Sequence, residues 1–173
     1  MNKGLIYVFT GDGKGKTSAA IGVGVRAALS GMKVAMVCWY KEPRWPISEL
    51  GLPKRLKKFR IYLQGKGFYK LPTDHATEGE HKQAAQSALI KAKDLLEKVD
   101  VLILDEVNNA AKDGLIDLSA LIDLISKRKK THLILTGRGA HKKVIALADL
   151  VTEMRKVKHP FDRGKKAILG LDY

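Results

Sequence analysis

The sequence predicts an open α/β fold: a mostly parallel β-sheet of about six strands with helices on both faces. Three observations predict it. Short apolar runs alternate with longer stretches of helical periodicity along the chain. Several of those runs are continuous rather than alternating, as in strands buried on both faces of a parallel sheet. The first run breaks into a glycine-rich segment ending in Lys16 and Thr17 at the head of a helical pattern, which is how an anion site is built.

The elements follow in order. Residues 5–10 (LIYVFT) read as the first strand, and residues 16–30 as a helix closed by Gly31, a natural residue just past a helix end. Residues 33–40 (KVAMVCWY) form the second strand. Residues 41–53 (KEPRWPISELGLP) carry three prolines that break any period, so they read as a surface loop. Residues 60–64 (RIYLQ) give a third strand. Residues 78–99 are the clearest helix, with Ala84, Ala88, Leu95 and Val99 at helical spacings and acids in the first turn. Residues 99–106 (VDVLILDE) and 131–137 (THLILTG) are strands, with a helix over 117–130 between them. A helix over 140–150 and a sixth strand at 150–154 complete the pattern, joined by right-handed crossovers.

Length and composition set the frame. A chain of 173 residues makes one domain, 1–173, and buries enough surface to fold without disulfides. The single cysteine, Cys38, has no internal partner and lies in an apolar run, which points to a reduced, cytoplasmic setting. The apolar stretch at the N-terminus is too short for a signal peptide or a membrane span. The net charge of +14 favours anionic partners without naming one.

The segment FTGDGKGKTSAA carries the chemistry. Gly11, Gly13 and Gly15 allow close backbone approach to a phosphate chain, Lys16 adds a positive charge, and the Thr17 hydroxyl can bind Mg²⁺. The common phosphate-loop pattern has glycine five positions before the lysine-preceding glycine; here that place holds Thr10. Asp105 and Glu106, ending the run VLILDE, can hold Mg²⁺ directly or through water beside Thr17. Arg138 of LTGR ends the next strand at the same sheet edge, where open α/β sheets bind ligands, and is a candidate phosphate contact. These residues specify a Mg–nucleoside-triphosphate protein and leave the reaction open. His75, His81, His132, His141 and His159 lack metal-ligand spacing and read as surface or capping residues.

Four segments, YVFTGDGKGKTSAA, GKGFYK, LILDEVNNA and LTGRGAHKKVIALADLVTEMRKVKHPFDRGKKAILGLDY, resemble the P-loop ATP:corrinoid adenosyltransferases over nearly the whole chain. That family's loop is spelled G-N-G-K-G-K-T and also lacks the first glycine; here Asp12 replaces the Asn. The resemblance implies a P-loop NTPase (RecA-like) sheet and a reaction in which the Co(I) of a reduced corrinoid attacks C5′ of ATP, releasing triphosphate. It implies that Gly11, Asp12, Gly13, Lys14, Gly15, Lys16, Thr17 and Ser18 hold ATP, with Lys16, Thr17 and Glu106 catalytic and Asp105 beside the Mg²⁺. It further implies aromatic residues near the corrin, for which Phe68, Tyr69 and Trp45 are the candidates with Lys41; packing of a loop is the competing role for Phe68 and Tyr69. Many members of that family have Phe-Thr-Trp where this chain has Phe68-Tyr69-Lys70, and Trp39 or Trp45 is the substitute for that tryptophan. The stretch WYKEPRWPISELG departs from the usual Q-F-I-K-G-x-W, keeping Lys41 and a nearby Trp45 but not the glycine. A homodimer and a flavodoxin-type reductant are likewise implied. Two alternatives stand beside it: a RecA-like nucleic-acid-dependent ATPase, suggested by the charge, and a nucleotide-binding module that has lost corrinoid activity.

Overall fold

The computed structural model describes residues 3–172. Its strands are β1 (Ile6–Thr10), β2 (Val34–Cys38), β3 (Phe59–Leu63), β4 (Val101–Asp105), β5 (His132–Thr136) and β6 (Leu150–Glu153). All pair in parallel, in the order β3-β2-β4-β5-β1-β6. The helices are α1 (Lys16–Leu29), α2 (Leu52–Arg55), α3 (Glu78–Leu95), α4 (Val107–Lys112), α5 (Leu118–Ser126) and α6 (Lys142–Ile145). The six strands read from sequence are all present, each shifted by a residue or two at its ends.

Successive side chains on a strand point to opposite faces, and the two cores divide accordingly. Val34, Met36 and Cys38 of β2, Val101 and Ile103 of β4, and Ile134 of β5 join Ala20 of α1 on one face. Ala35 and Val37, Leu102 and Leu104, and Leu133 and Leu135 face the other way, onto α3 and α5. Every residue of β2 and β4 is buried, which is why those runs are apolar without alternation. Helix α3 starts at a capping box: the Thr77 hydroxyl accepts from the Glu80 amide, and the Glu80 carboxylate accepts from the Thr77 amide.

Four helical features depart from the sequence reading. Helix α3 ends at Leu95 and α5 at Ser126, earlier than residues 99 and 130. The helix read over residues 140–150 is only the short α6, because the chain must run directly into β6. Helix α4, directly after Glu106, was not anticipated, and the proline-rich segment read as loop contains a 3₁₀ turn, Ser48–Gly51, and α2. Of the histidines, His81 is neither surface nor cap. It is buried and bonds Asp74 at 2.8 Å, whereas His141 and His159 do cap, accepting from the Lys143 and Phe161 amides. Asp74 is held down at about 2, chiefly by that His81 hydrogen bond. Among the described residues no helix is long and apolar enough to cross a membrane.

Candidate active site

The site lies along the C-terminal edge of β4, β5 and β1, where Asp105, Thr136 and Thr10 end their strands. From Thr10 the chain turns through Gly11, with φ of 93°, and reaches α1 at Gly15, with φ of 113°. The first amides of α1 have no acceptor within the helix and add to the positive end of its dipole.

The glycines of the loop answer a packing demand. The end of β6 lies against the loop, with the Gly13 amide donating to the Met154 carbonyl at 2.6 Å. A Cβ on Gly13 would stand 2.7 Å from that oxygen, and one on Gly11 2.5 Å from it. Gly13→Ala therefore must push the loop off β6. The expected result is a loss of about 1–3 kcal/mol in stability. ATP affinity should fall as well, because the cradle must yield to relieve that close contact. Thermal melts with and without MgATP check both.

Lys16 is buried, and its Nζ donates to the Gly11 carbonyl at 2.8 Å and the Gly13 carbonyl at 2.7 Å. Burial lowers its pKa, with Arg138 acting the same way, while Glu106, Asp12 and Asp105 oppose them. The ammonium is thus held inside the loop and surrounded by charged groups.

Asp105 is the hub. Fully buried, its Oδ1 accepts from Thr17 Oγ1 and from Thr136 Oγ1, each at 2.8 Å. Its Oδ2 lies 3.3 Å from Lys41 Nζ, an ion pair that lacks hydrogen-bond geometry, so this oxygen has no hydrogen-bond donor among the described residues. Lys41 also donates to Glu49 at 3.0 Å. Burial alone would lower the Lys41 pKa, but Asp105 and Glu49 outweigh it and hold the ammonium charged.

Glu106 follows in a left-handed backbone conformation, φ 62°, which costs a non-glycine residue about 1–3 kcal/mol. Its amide donates to Thr136 Oγ1 at 2.8 Å. Burial, then Asp105 beside it, push its pKa up to about 7, and Lys16, Lys41 and Arg138 pull it back. The Arg138 amide donates to Asn109 Oδ1 at 2.6 Å, tying the loop after β5 to α4.

The structure thus brings together the loop, Thr17, Asp105, Glu106 and Arg138. Asp12, Lys14 and Ser18 are exposed, and Lys14 pairs with Asp172 of the chain's C-terminal end. It separates the aromatic candidates. Phe68 is partly exposed and sits between Tyr40 (centroids 5.9 Å apart) and Trp45 (5.4 Å). Tyr69 instead packs against His81 of α3 at 5.1 Å, and Trp39 is buried in the core. Lys41 reaches the carboxylates. Sequence reasoning missed Thr136, Asn109 and the Met154 brace. A polar residue ending a strand beside the acidic one was a readable signal for Thr136; nothing local marked the other two.

The donor set fits Mg²⁺: a hydroxyl and two carboxylates at one edge, with one carboxylate oxygen short of a donor, are hard oxygen ligands of the kind that ion takes. The comparisons then decide the family. The family model described as ATP:corrinoid adenosyltransferase BtuR/CobO/CobP matches residues 2–173. The chain belongs to that family. It is 34% identical to a corrinoid adenosyltransferase of Escherichia coli (strain K12), over 99% of this chain and 86% of that protein. It is 35% identical to the Salmonella typhimurium corrinoid adenosyltransferase CobA, with the same coverage. A corrinoid adenosyltransferase of Sinorhizobium is 36% identical, over 99% of this chain and 81% of that one. Among solved structures, a KaiC-like protein of Pyrococcus horikoshii OT3 shares the fold with a TM-score of 0.54 at 15% identity, covering 90% of this chain and 74% of that chain. The parallel sheet of about six strands with helices on both faces expected from sequence is therefore the one observed.

Proposed function

We propose that this ATP:corrinoid adenosyltransferase family member moves the 5′-deoxyadenosyl group of MgATP to the Co(I) of a reduced corrinoid. Cobalt supplies both electrons of the new Co–C5′ bond, the C5′–O bond breaks, and its electron pair leaves on intact triphosphate. The observation that carries this reading is the full-length family match of a chain whose phosphate loop, carboxylate pair and aromatic wall share one sheet edge.

The protein's task is alignment and charge. Gly11 to Ser18 cradle the triphosphate, and Lys16, turning from the Gly11 and Gly13 carbonyls to phosphate oxygens, meets the charge that develops as the C–O bond opens. Arg138 adds a second cation from the β5 loop. Thr17, Asp105 and Glu106 would hold Mg²⁺, which when bound neutralises phosphate oxygens. Thr136 ties the Asp105 carboxylate to the Glu106 backbone, accepting from the Glu106 amide and donating to Asp105. Phe68 and Trp45 offer flat apolar faces for the corrin. A homodimer, a cytoplasmic setting and an electron-carrying protein such as a flavodoxin belong to the same proposal, the last suited by charge to a basic surface.

Incubation with MgATP and a chemically reduced corrinoid tests it. Triphosphate and a cobalt–carbon bond, formed together, are expected. ADP and phosphate without alkylation would refute the reading and favour the nucleic-acid-dependent ATPase, whose hydrolysis should then respond to DNA or RNA and fall with salt.

A further inference from the structure

Tyr40 has no role in this mechanism, yet it touches both halves of the site. It follows β2 and is buried. Its ring stacks on Phe68, with centroids 5.9 Å apart and planes inclined by 27°. Its hydroxyl donates to Asp113 Oδ2 at 2.5 Å, and Asp113 closes α4. Burial, then that hydrogen bond, push the phenol pKa far above its ordinary value, so the group stays a neutral donor.

The backbone ties the same residue to the loop that carries Phe68. The Tyr40 carbonyl accepts from the Gly67 amide at 3.0 Å, and the Lys41 carbonyl accepts from the Gly65 amide at 3.0 Å. A Cβ on Gly65 would lie 2.2 Å from the Tyr40 carbonyl carbon, so the loop after β3 is pressed onto Tyr40. On the other side, α4 begins directly after Glu106 and is held by burial of Val107, Asn108 and Ala110. Two consecutive residues therefore grip both ends of that helix: Lys41 pairs with Asp105 just before it, and Tyr40 bonds Asp113 at its close. Six helical residues span only about 9 Å. The candidate Mg²⁺ carboxylates and the Phe68 ring are thus joined through one short, well-packed element. Phe68 itself is open to solvent, resting on the buried Tyr40 ring.

Resting on the corrinoid reading above, we propose that Tyr40 is a positioning residue. Its hydroxyl bond to Asp113 locks the aromatic wall to the helix that follows Glu106, and so sets the distance between cobalt and C5′ of ATP. The bond serves alignment rather than affinity, because each substrate has contacts of its own: ATP at the phosphate loop, the corrin at Phe68 and Trp45. Alignment is where such a lock matters, since an error of about 1 Å between reacting groups can cost about a hundredfold in rate.

Tyr40→Phe keeps the stacked ring and removes only the hydroxyl, leaving Asp113, an exposed residue, to water. Single-turnover transfer from MgATP to reduced cobalamin should fall about tenfold to a hundredfold. Binding of MgATP and of cobalamin, each measured alone, should stay close to wild type, a split that a general loss of structure would not give. Asp113→Ala should lower transfer equally, and the double variant should be no slower than either single one, because the same bond is missing in all three. Asp113→Asn keeps an acceptor for the hydroxyl and should retain most of the rate. Unchanged transfer in Tyr40→Phe overturns the positioning role, as do losses that add in the double variant or that fall in step with both affinities. A wild type that forms no cobalt–carbon bond overturns the transfer reading together with the positioning role, whereas transfer indifferent to Tyr40→Phe overturns the positioning role alone.

Discussion

Lys16→Ala should lower the rate of adenosyl transfer by about 10²–10³ or more, the cost of removing one preorganised donor from developing charge. The lysine is buried with no second cation placed in the loop carbonyls, so no neighbour inherits its role. Corrinoid binding in the absence of ATP should be nearly unchanged, since the aromatic wall lies on the loops after β2 and β3 rather than on the phosphate loop. Single-turnover formation of the alkylated product gives the first number and corrinoid difference spectra the second. Equal loss of both would mean that the loop had collapsed. Lys16→Met, which keeps the aliphatic stem and removes only the charge, guards against that outcome.

Asp105→Asn has the second large effect, and it acts on stability and function together. Neutralising a fully buried carboxylate leaves the Lys41 ammonium with Glu49 alone and cuts the charge on a candidate Mg²⁺ ligand. Removing one partner of a buried ion pair costs up to about 3–5 kcal/mol when the remaining charge is left alone; Lys41 keeps Glu49, so the loss should fall toward or below the lower end of that range. Denaturant unfolding should show that loss. Lys41→Met alone would strand Glu49, so the variant that leaves no unpaired charge is Asp105→Asn with Lys41→Met and Glu49→Gln; it should recover most of the stability, yet transfer should stay low because the Asp105 carboxylate is still missing. If this triple variant regained activity, Asp105 would be a structural partner of Lys41 and no part of the nucleotide site.

The sheet was legible because its signal is local. A run such as VLIL is apolar at every residue only when both faces are covered, so the runs announced parallel strands, and GKGKT announced the glycine loop that opens α1. Helix α4 was not legible. VNNAAK is six residues with two asparagines, a weak former stabilised by burial of Val107 and Ala110 rather than by its own propensity. The span 140–150 failed the opposite way: its pattern suits a helix, but β6 must begin at Leu150 beside β1, and the chain is spent reaching it. Tyr69 and Phe68 are neighbours in sequence and part company in space, one toward α3 and one toward Trp45.

The sequence by itself determined the fold class, the glycine loop and the acidic strand end, because each is written in a short contiguous pattern whose physics does not depend on distant residues; the family came from a resemblance spread over nearly the whole chain. Only the tertiary structure decided that Lys41 pairs with Asp105, that Thr136 ties the Asp105 carboxylate to the Glu106 amide, and that Met154 demands Gly13. Those facts are set by strand order: β4 and β5 lie between β2 and β1, and that order brings side chains remote in the chain to one edge.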